Sequence, residues 1–245
     1  MSNLLFIIGS PRSKGVGHQF AGHLKKILYE KVVGIEINEL HMADLNYENC
    51  LGCMQCFING RCSLSLKDNY DFDKKLEDCQ GIVIFIPTYI HQMPGKLKNC
   101  FDRMAYKIHQ FPLIGKKAVI VTYTATNGAE ELDKYSKRLF AMYGAEVVNS
   151  LTVYQMNEHF DLALNRIYDS IIVMLIRIKN NNYQVSKMQE DSFLSLKTIV
   201  KNELDQKIVT YKQKRWRELI KYSSLSDYIK MCYIADNQKG CYKQR

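Results

Sequence analysis

The sequence predicts an α/β protein: a five-stranded parallel sheet wound by helices on both faces, followed by a helical extension. Three observations carry this expectation. Short, unbroken apolar runs recur through residues 1–155, as strands buried on both faces require. Stretches with apolar residues at helical spacing separate those runs, and such alternation implies right-handed crossovers in a parallel sheet. From residue 156 onward the runs stop and only helical patterning continues. With 245 residues, 47% of them apolar, the chain is long enough to bury a full core.

The elements follow in order. Residues 4–8 are the first strand, an apolar run stopped by Gly9, Ser10 and Pro11. Residues 17–30 form a helix with Phe20, Leu24, Ile27 and Leu28 on one face. The second strand is 32–37, and the third is 81–86 (GIVIFI), ended by Pro87. Helical spacing returns over 95–108 through Leu97, Phe101, Met104 and Ile108. Residues 118–123 (AVIVTY) are the fourth strand, 129–143 a helix and 146–153 the fifth strand. Helices over 161–179 and 191–222 then flank the polar NNNYQ of 180–184. Residues 1–155 are therefore expected as the sheet domain and 156–245 as the extension.

The net charge of +9 is uneven: residues 1–155 hold 18 Lys/Arg against 15 Asp/Glu, and residues 156–245 hold 16 against 10. The basic extension reads as a solvated helical surface or a docking face for an acidic redox partner. No nucleic-acid motif accompanies it. The longest apolar runs, 4–8 and 171–176, are too short for a signal core or a membrane span, which points to a cytoplasmic protein without membrane insertion.

In parallel sheets of this kind ligands sit beyond the carboxyl ends of the strands. Three segments there carry chemistry. GSPRSKG (9–15) offers the Ser10 hydroxyl, the Arg12 guanidinium and a helix start, a combination that suits a phosphate as well as an ordinary turn. It has neither the Gly-Lys-Ser/Thr of a Walker loop nor G-x-G-x-x-G. PTYIHQMPGKLKNCFDR (87–103) places Tyr89 where it can lie against a planar ring. His91 in that loop is given no catalytic role, and Asp102 with Arg103 reads as a structural or interface ion pair. TYTATNG (122–128) supplies hydroxyls and backbone amides for the polar edge of a heterocycle.

The fourth feature is NCLGCMQCFINGRC (49–62), with Cys50, Cys53, Cys56 and Cys62 spaced C-x2-C-x2-C-x5-C among eight cysteines in all. Disulfides do not suit a cytosolic chain, and zinc knuckles are usually farther apart. Compact C-x2-C-x2-C runs suit an iron–sulfur cube, although Ser63 replaces the proline that follows the fourth cysteine in two-cluster ferredoxins. The spacing leaves a metal, redox thiols and packing open. Cys79, Cys100, Cys232 and Cys241 have no ligand spacing and read as small buried or surface residues.

Taken together, GSPR-x-x-G and P-x-Y…MPG-x-LK-x-x-x-DR resemble the flavodoxin-like NAD(P)H-dependent FMN reductase family over residues 3–155. The resemblance implies the strand order 2-1-3-4-5 and an FMN site. It assigns Ser10, Arg12 and Gly15 to the FMN phosphate, Pro87, Thr88, Tyr89 and Ile90 to the flavin border, and Thr122, Thr124, Asn127 and Gly128 to the isoalloxazine edge. Where the family continues with Asn-Thr, this chain has Val16 and Gly17. The exchange removes a side-chain donor worth about 1.5–3 kcal/mol, with His18 nearby as a substitute.

The cysteine run resembles the iron–sulfur flavoprotein branch of that family. This implies Cys50, Cys53, Cys56 and Cys62 around one [4Fe–4S] cluster, converging beside the flavin edge. The function implied is electron transfer through the cluster and FMN to a small acceptor, with ferredoxin or NAD(P)H as donor and a homodimer or homotetramer as the assembly. The alternatives are an NAD(P)H-dependent FMN or quinone reductase without a cluster, and a flavodoxin-like scaffold without flavin.

Overall fold

Five parallel strands form one sheet in the order β2-β1-β3-β4-β5, the order expected. They are β1 (Ser2–Ile8), β2 (Ile35–His41), β3 (Gly81–Pro87), β4 (Lys117–Thr124) and β5 (Glu146–Tyr154). The computed structural model describes residues 2–64 and 72–238. The three inner strands are almost wholly buried, which is why they read as unbroken apolar runs.

The second strand is displaced from its expected position. Helix α1 (Val16–Lys31) persists to Lys31, Val33 is fully exposed, and Gly34 turns the chain with φ 74° before β2 begins. As an edge strand β2 alternates buried Ile35 and Ile37 with more exposed polar residues, so its signal is alternation rather than a run. Its register sets Ile8 opposite His41.

Between β2 and β3 lie two short helices the periodicity did not reveal, α2 (Gln55–Asn59) and α3 (Phe72–Asp78). The helix expected over 95–108 divides into α4 (Gly95–Arg103) and a 3-10 turn, Ala105–Gln110. Helix α5 (Ala129–Met142) joins β4 to β5. One face of the sheet packs on α3, α4 and α5 through Phe72, Leu97, Phe101, Leu132 and Phe140. The opposite face packs on α1 and α6 (Phe160–Lys179), with Phe20, Leu24, Ile167, Ile171 and Met174 buried. The first helix of the extension thus completes the second layer of the sheet.

Helix α6 ends with Asn181 at φ 48°, where Asn182 N–H reaches the Arg177 carbonyl and Asn181 N–H that of Ile178. This pair of bonds closes a helix on a left-handed residue, a role that suits asparagine. The stretch expected as one helix over 191–222 is broken the same way. Helix α7 (Lys187–Asp205) stops at Lys207, φ 57°, with Ile208 N–H on the Glu203 carbonyl, and α8 (Gln213–Leu219) follows. With α9 (Leu225–Gln238) these helices enclose their own core around Trp216 and Phe193. The Trp216 Nε1–H donates to the His109 carbonyl at 2.7 Å, fastening the extension to the 3-10 turn. No helix among the described residues is long and apolar enough to cross a membrane.

Candidate functional site

The loop after β1 is drawn onto the sheet by the Gly9 N–H, which donates to the Phe85 carbonyl at 2.8 Å. A side chain at Gly9 would sit 2.9 Å from that same carbonyl, so only glycine allows this approach. Ser10 is buried, and its Oγ accepts the Arg12 N–H at 3.1 Å, folding the loop back on itself. Gly15 begins α1 in extended conformation without a side-chain cap, and the first turn carries no acidic residue. The positive end of the α1 dipole therefore faces the loop without a carboxylate to neutralise it.

His18, in that first turn, is tied to the sheet edge. Its Nε2 lies 2.9 Å from His41 Nδ1, and His41 Nε2 lies 2.8 Å from Glu39, which also pairs with Lys25 at 3.0 Å. Burial, then the neighbouring His41, push the His18 pKa below the usual histidine range, against smaller opposing pulls from Asp44 and Glu39. Glu39 is held below the usual glutamate range: burial opposes this, but Lys25 and His41 outweigh it. The His18 Nδ1 is buried without a hydrogen-bond partner.

The loop after β3 is held by reciprocal bonds between Tyr89 and Gln92, at 2.8 and 3.1 Å. Between them Ile90 and His91 both adopt left-handed backbone, φ 47° and 61°. Two adjacent non-glycine residues in that region store strain, as active-site loops often do. Ile90 is exposed, Tyr89 half so, and the Thr88 Oγ1 is buried without a partner. His91 turns to Glu131 at 3.2 Å and covers Gly128, where an added Cβ would lie 3.1 Å from its ring.

After β4, Thr124 Oγ donates to the Asn127 carbonyl at 2.7 Å and shapes the turn that ends at Gly128, φ 78°. Thr122, expected at the isoalloxazine edge, is fully buried on the sheet face opposite Tyr123, and its side chain donates to the Leu151 carbonyl of β5 at 3.3 Å. Its neighbour Tyr123, not singled out from sequence, points to the α1 face and brings its hydroxyl beside Gly17. His41 was missed too, because the displaced β2 hid its register against β1.

All four run cysteines line one cavity of about 260 Å³. Cys50 and Cys53 are exposed, Cys56 and Cys62 partly covered. Asn99 of α4 seats the loop, accepting the Cys50 N–H at 2.7 Å and donating to the Glu48 carbonyl at 3.0 Å. Arg103 also donates to Glu48, at 3.1 Å, and stacks over Tyr47. Asp102 pairs instead with Lys98. Tyr211 from the extension packs against Gly60 and Phe57 and donates to the Tyr106 carbonyl at 3.0 Å.

The cavity walls come from this loop, the second half of α4 and Ala105, not from the loops after β3 and β4. The four cysteines thus share a cavity along α4, where Asn99 and Arg103 hold the loop. Among the described residues no group of three or more His, Cys, Asp or Glu is arranged to hold a metal ion. The thiols still differ: hydrogen bonding from Ser63, then from the Gln55 backbone, pulls the Cys53 pKa down. Burial, then the charge of Cys62, pushes Cys56 up. Cys79 and Cys100 are buried in the core, Cys232 is partly covered, and Cys241 lies outside the described residues.

The unpartnered Thr88 and His18 atoms, with the acid-free start of α1, fit a phosphate-bearing cofactor at the strand ends. Iron-sulfur flavoproteins of Archaeoglobus fulgidus and Clostridioides difficile are 29% and 23% identical over 140 and 148 residues, 56% and 60% of this chain. The matches span 62% and 65% of those proteins, just under two thirds of their length. A second Archaeoglobus fulgidus iron-sulfur flavoprotein is 30% identical over 57% of this chain and 68% of its own.

Among solved structures, an apo NADH:FMN oxidoreductase superposes with TM-score 0.51 at 19% identity, covering 72% of this chain and 90% of that one. A flavone reductase gives 0.55 at 14%, covering 75% and 66%. These likenesses support the fold. The family described as NADPH-dependent FMN reductase matches residues 2–159, the whole sheet with its strand-end loops, and the chain belongs to that family.

Proposed function

We propose that the chain is a flavin-dependent oxidoreductase that binds FMN at the strand ends and passes electrons to a small acceptor. The observation that carries this is two buried polar atoms left without partners, His18 Nδ1 in the acid-free first turn of α1 and Thr88 Oγ1 in the loop after β3. Ser10, Arg12, Gly15, Gly17 and His18 would hold the phosphate, with Ser10 and the first-turn amides as donors. Pro87, Thr88, Tyr89 and the strained Ile90 would border the ring, and Thr124, Asn127 and Gly128 would meet its polar edge through backbone groups. The strained 90–91 turn would lie along one side of the ring, with His91 anchored on Glu131. FMN, when bound, supplies exchange between one- and two-electron chemistry, while the chain supplies position and polarity.

Cys50, Cys53, Cys56 and Cys62 would hold a [4Fe–4S] cluster that supplies single-electron transfer. Their thiol chemistry and common cavity support this, as do the named relatives. The basic extension suits an acidic carrier such as ferredoxin. The second reading is an NAD(P)H-dependent reductase without a cluster, favoured by the absence of a metal-ready group among the described residues.

Anaerobic purification followed by a visible spectrum and iron, sulfide and flavin assays separates the two. About four irons per chain with FMN supports the cluster reading. FMN without iron, bleached rapidly by NADPH, supports the second, and a colourless protein that binds no added FMN refutes both.

A further inference from the structure

His18 begins a chain of side chains that runs from the first turn of α1 to the edge of the sheet. Its Nε2 lies 2.9 Å from His41 Nδ1, His41 Nε2 lies 2.8 Å from one Glu39 oxygen, and Lys25 pairs with the other at 3.0 Å. Besides these groups on α1 and β2, Asp44 in the turn after β2 acts on His18. The inner end of the chain is closed: His18 Nδ1 is buried and has no hydrogen-bond partner among the described residues. The outer end is open to water, since the His41 and Glu39 side chains are each 24% exposed.

The hydrogen-bond inventory places the protons. Glu39, paired with Lys25, is ionised at neutral pH and can only accept, so His41 Nε2 carries a hydrogen. In neutral His41 the other nitrogen is then an acceptor, and His18 Nε2–H donates to it. Neutral His18 is left with a bare lone pair on its buried Nδ1. One added proton reverses that end. Placed on His18, it sits on Nδ1. Placed on His41, it makes Nδ1–H donate to His18 Nε2, and the hydrogen of His18 moves to its own Nδ1. Both arrangements keep the two bonds of the chain and turn His18 Nδ1 into a donor. A lone pair there repels an anion at the acid-free start of α1, whereas an anion favours the protonated form.

We propose that the His18–His41–Glu39 chain couples binding of the FMN phosphate to the uptake of one proton from solvent. His18 is then a positioning residue whose buried nitrogen switches from acceptor to donor as the anion arrives. The proposal rests on the FMN reading above and adds His41 and Glu39, from β2, to a cradle otherwise built from the β1 loop and α1. Gly17 brings no side-chain donor to this turn, and the histidine chain supplies one that depends on pH. Its chemical consequence is an affinity for the phosphorylated flavin that falls as pH rises above neutrality.

The test is calorimetric titration of the apo chain with FMN at about pH 7.5, in two phosphate-free buffers of different ionisation enthalpy, whose difference in heat counts the protons taken up. The wild-type chain should take up about 0.3–1 proton per FMN, and its affinity should fall by up to about tenfold from pH 7.5 to pH 8.5. Riboflavin should bring in none. Glu39→Gln, at the exposed end of the chain and outside the cradle, should bind FMN with less than about half the wild-type uptake. His18→Asn should bind it more weakly, with the uptake abolished. FMN binding with less than about 0.3 proton, equal uptake with riboflavin, or more than about half the wild-type uptake in either variant overturns the proposal and leaves the FMN site standing. A wild-type chain that binds no FMN overturns the FMN site itself, and the proposal with it.

Discussion

Asn99 is the peg on which the cysteine loop hangs, and removing it has a calculable cost. In Asn99→Ala two hydrogen bonds disappear, from Cys50 N–H and to the Glu48 carbonyl. Each is worth about 0.5–1.5 kcal/mol net. The Glu48 carbonyl keeps a second donor in Arg103, so its loss falls at the low end. Cys50 is exposed and water can reach its amide, so that loss stays moderate as well. The sum is about 1–2 kcal/mol, which for a chain of this size lowers Tm by about 2–8 °C.

Thermal melting of the metal-free chain measures the first effect, and alkylation rates at Cys50 and Cys53 measure the freed loop. Asn99→Asp keeps an acceptor for Cys50 but sets a carboxylate oxygen against the Glu48 carbonyl, so it should not restore the wild-type melt. A melt within about 1 °C of wild type together with unchanged alkylation would refute the tether.

Other outcomes follow from the same geometry. Cys53, exposed and with a lowered pKa, should be the first thiol alkylated near neutral pH, whereas Cys79, pushed up to about 12 by burial, should react only on unfolding; mass-mapped labelling decides. His18 has a folded pKa below the ordinary 6.5, so it binds fewer protons folded than unfolded, and its stabilisation is complete above pH 6.5 and lost as pH falls through the folded value. The Tm gap between wild type and His18→Asn should therefore narrow from about pH 7.5 to pH 5, and a constant gap would contradict the shift. Trp216→Phe removes the 2.7 Å bond to the His109 carbonyl and should cost about 1 kcal/mol in a denaturant titration.

What was legible in the sequence follows from which interactions are local. Strands β1, β3 and β4 declared themselves because both their faces are buried. β2 did not, since an edge strand alternates and Val32 and Val33 imitate its start. The loops after β1 and β3 could be found because Ser10, Arg12 and Tyr89 belong to contiguous motifs. Tyr123 could not be separated from Thr122 by composition, although the period of two along β4 sends Tyr123 to the α1 face and Thr122 to the opposite one. For the cysteines, spacing shows that four thiols share a loop. Their seat on α4, and the Tyr211 contact behind the loop at Gly60, are set by contacts between residues far apart in the chain and leave no local trace.

The Tyr211 contact also sets an order of events during synthesis. The five strands and their motif loops are complete once Tyr154 has been made, and a chain folds from its first domain onward as it emerges. The cysteine loop at that moment has Asn99 and Arg103 beneath it and His109 beside Phe57, but the Tyr211 contact at Gly60 and Phe57 is still to come. A nascent chain therefore has its five strands and strand-end loops before Tyr211 can reach Gly60 and Phe57.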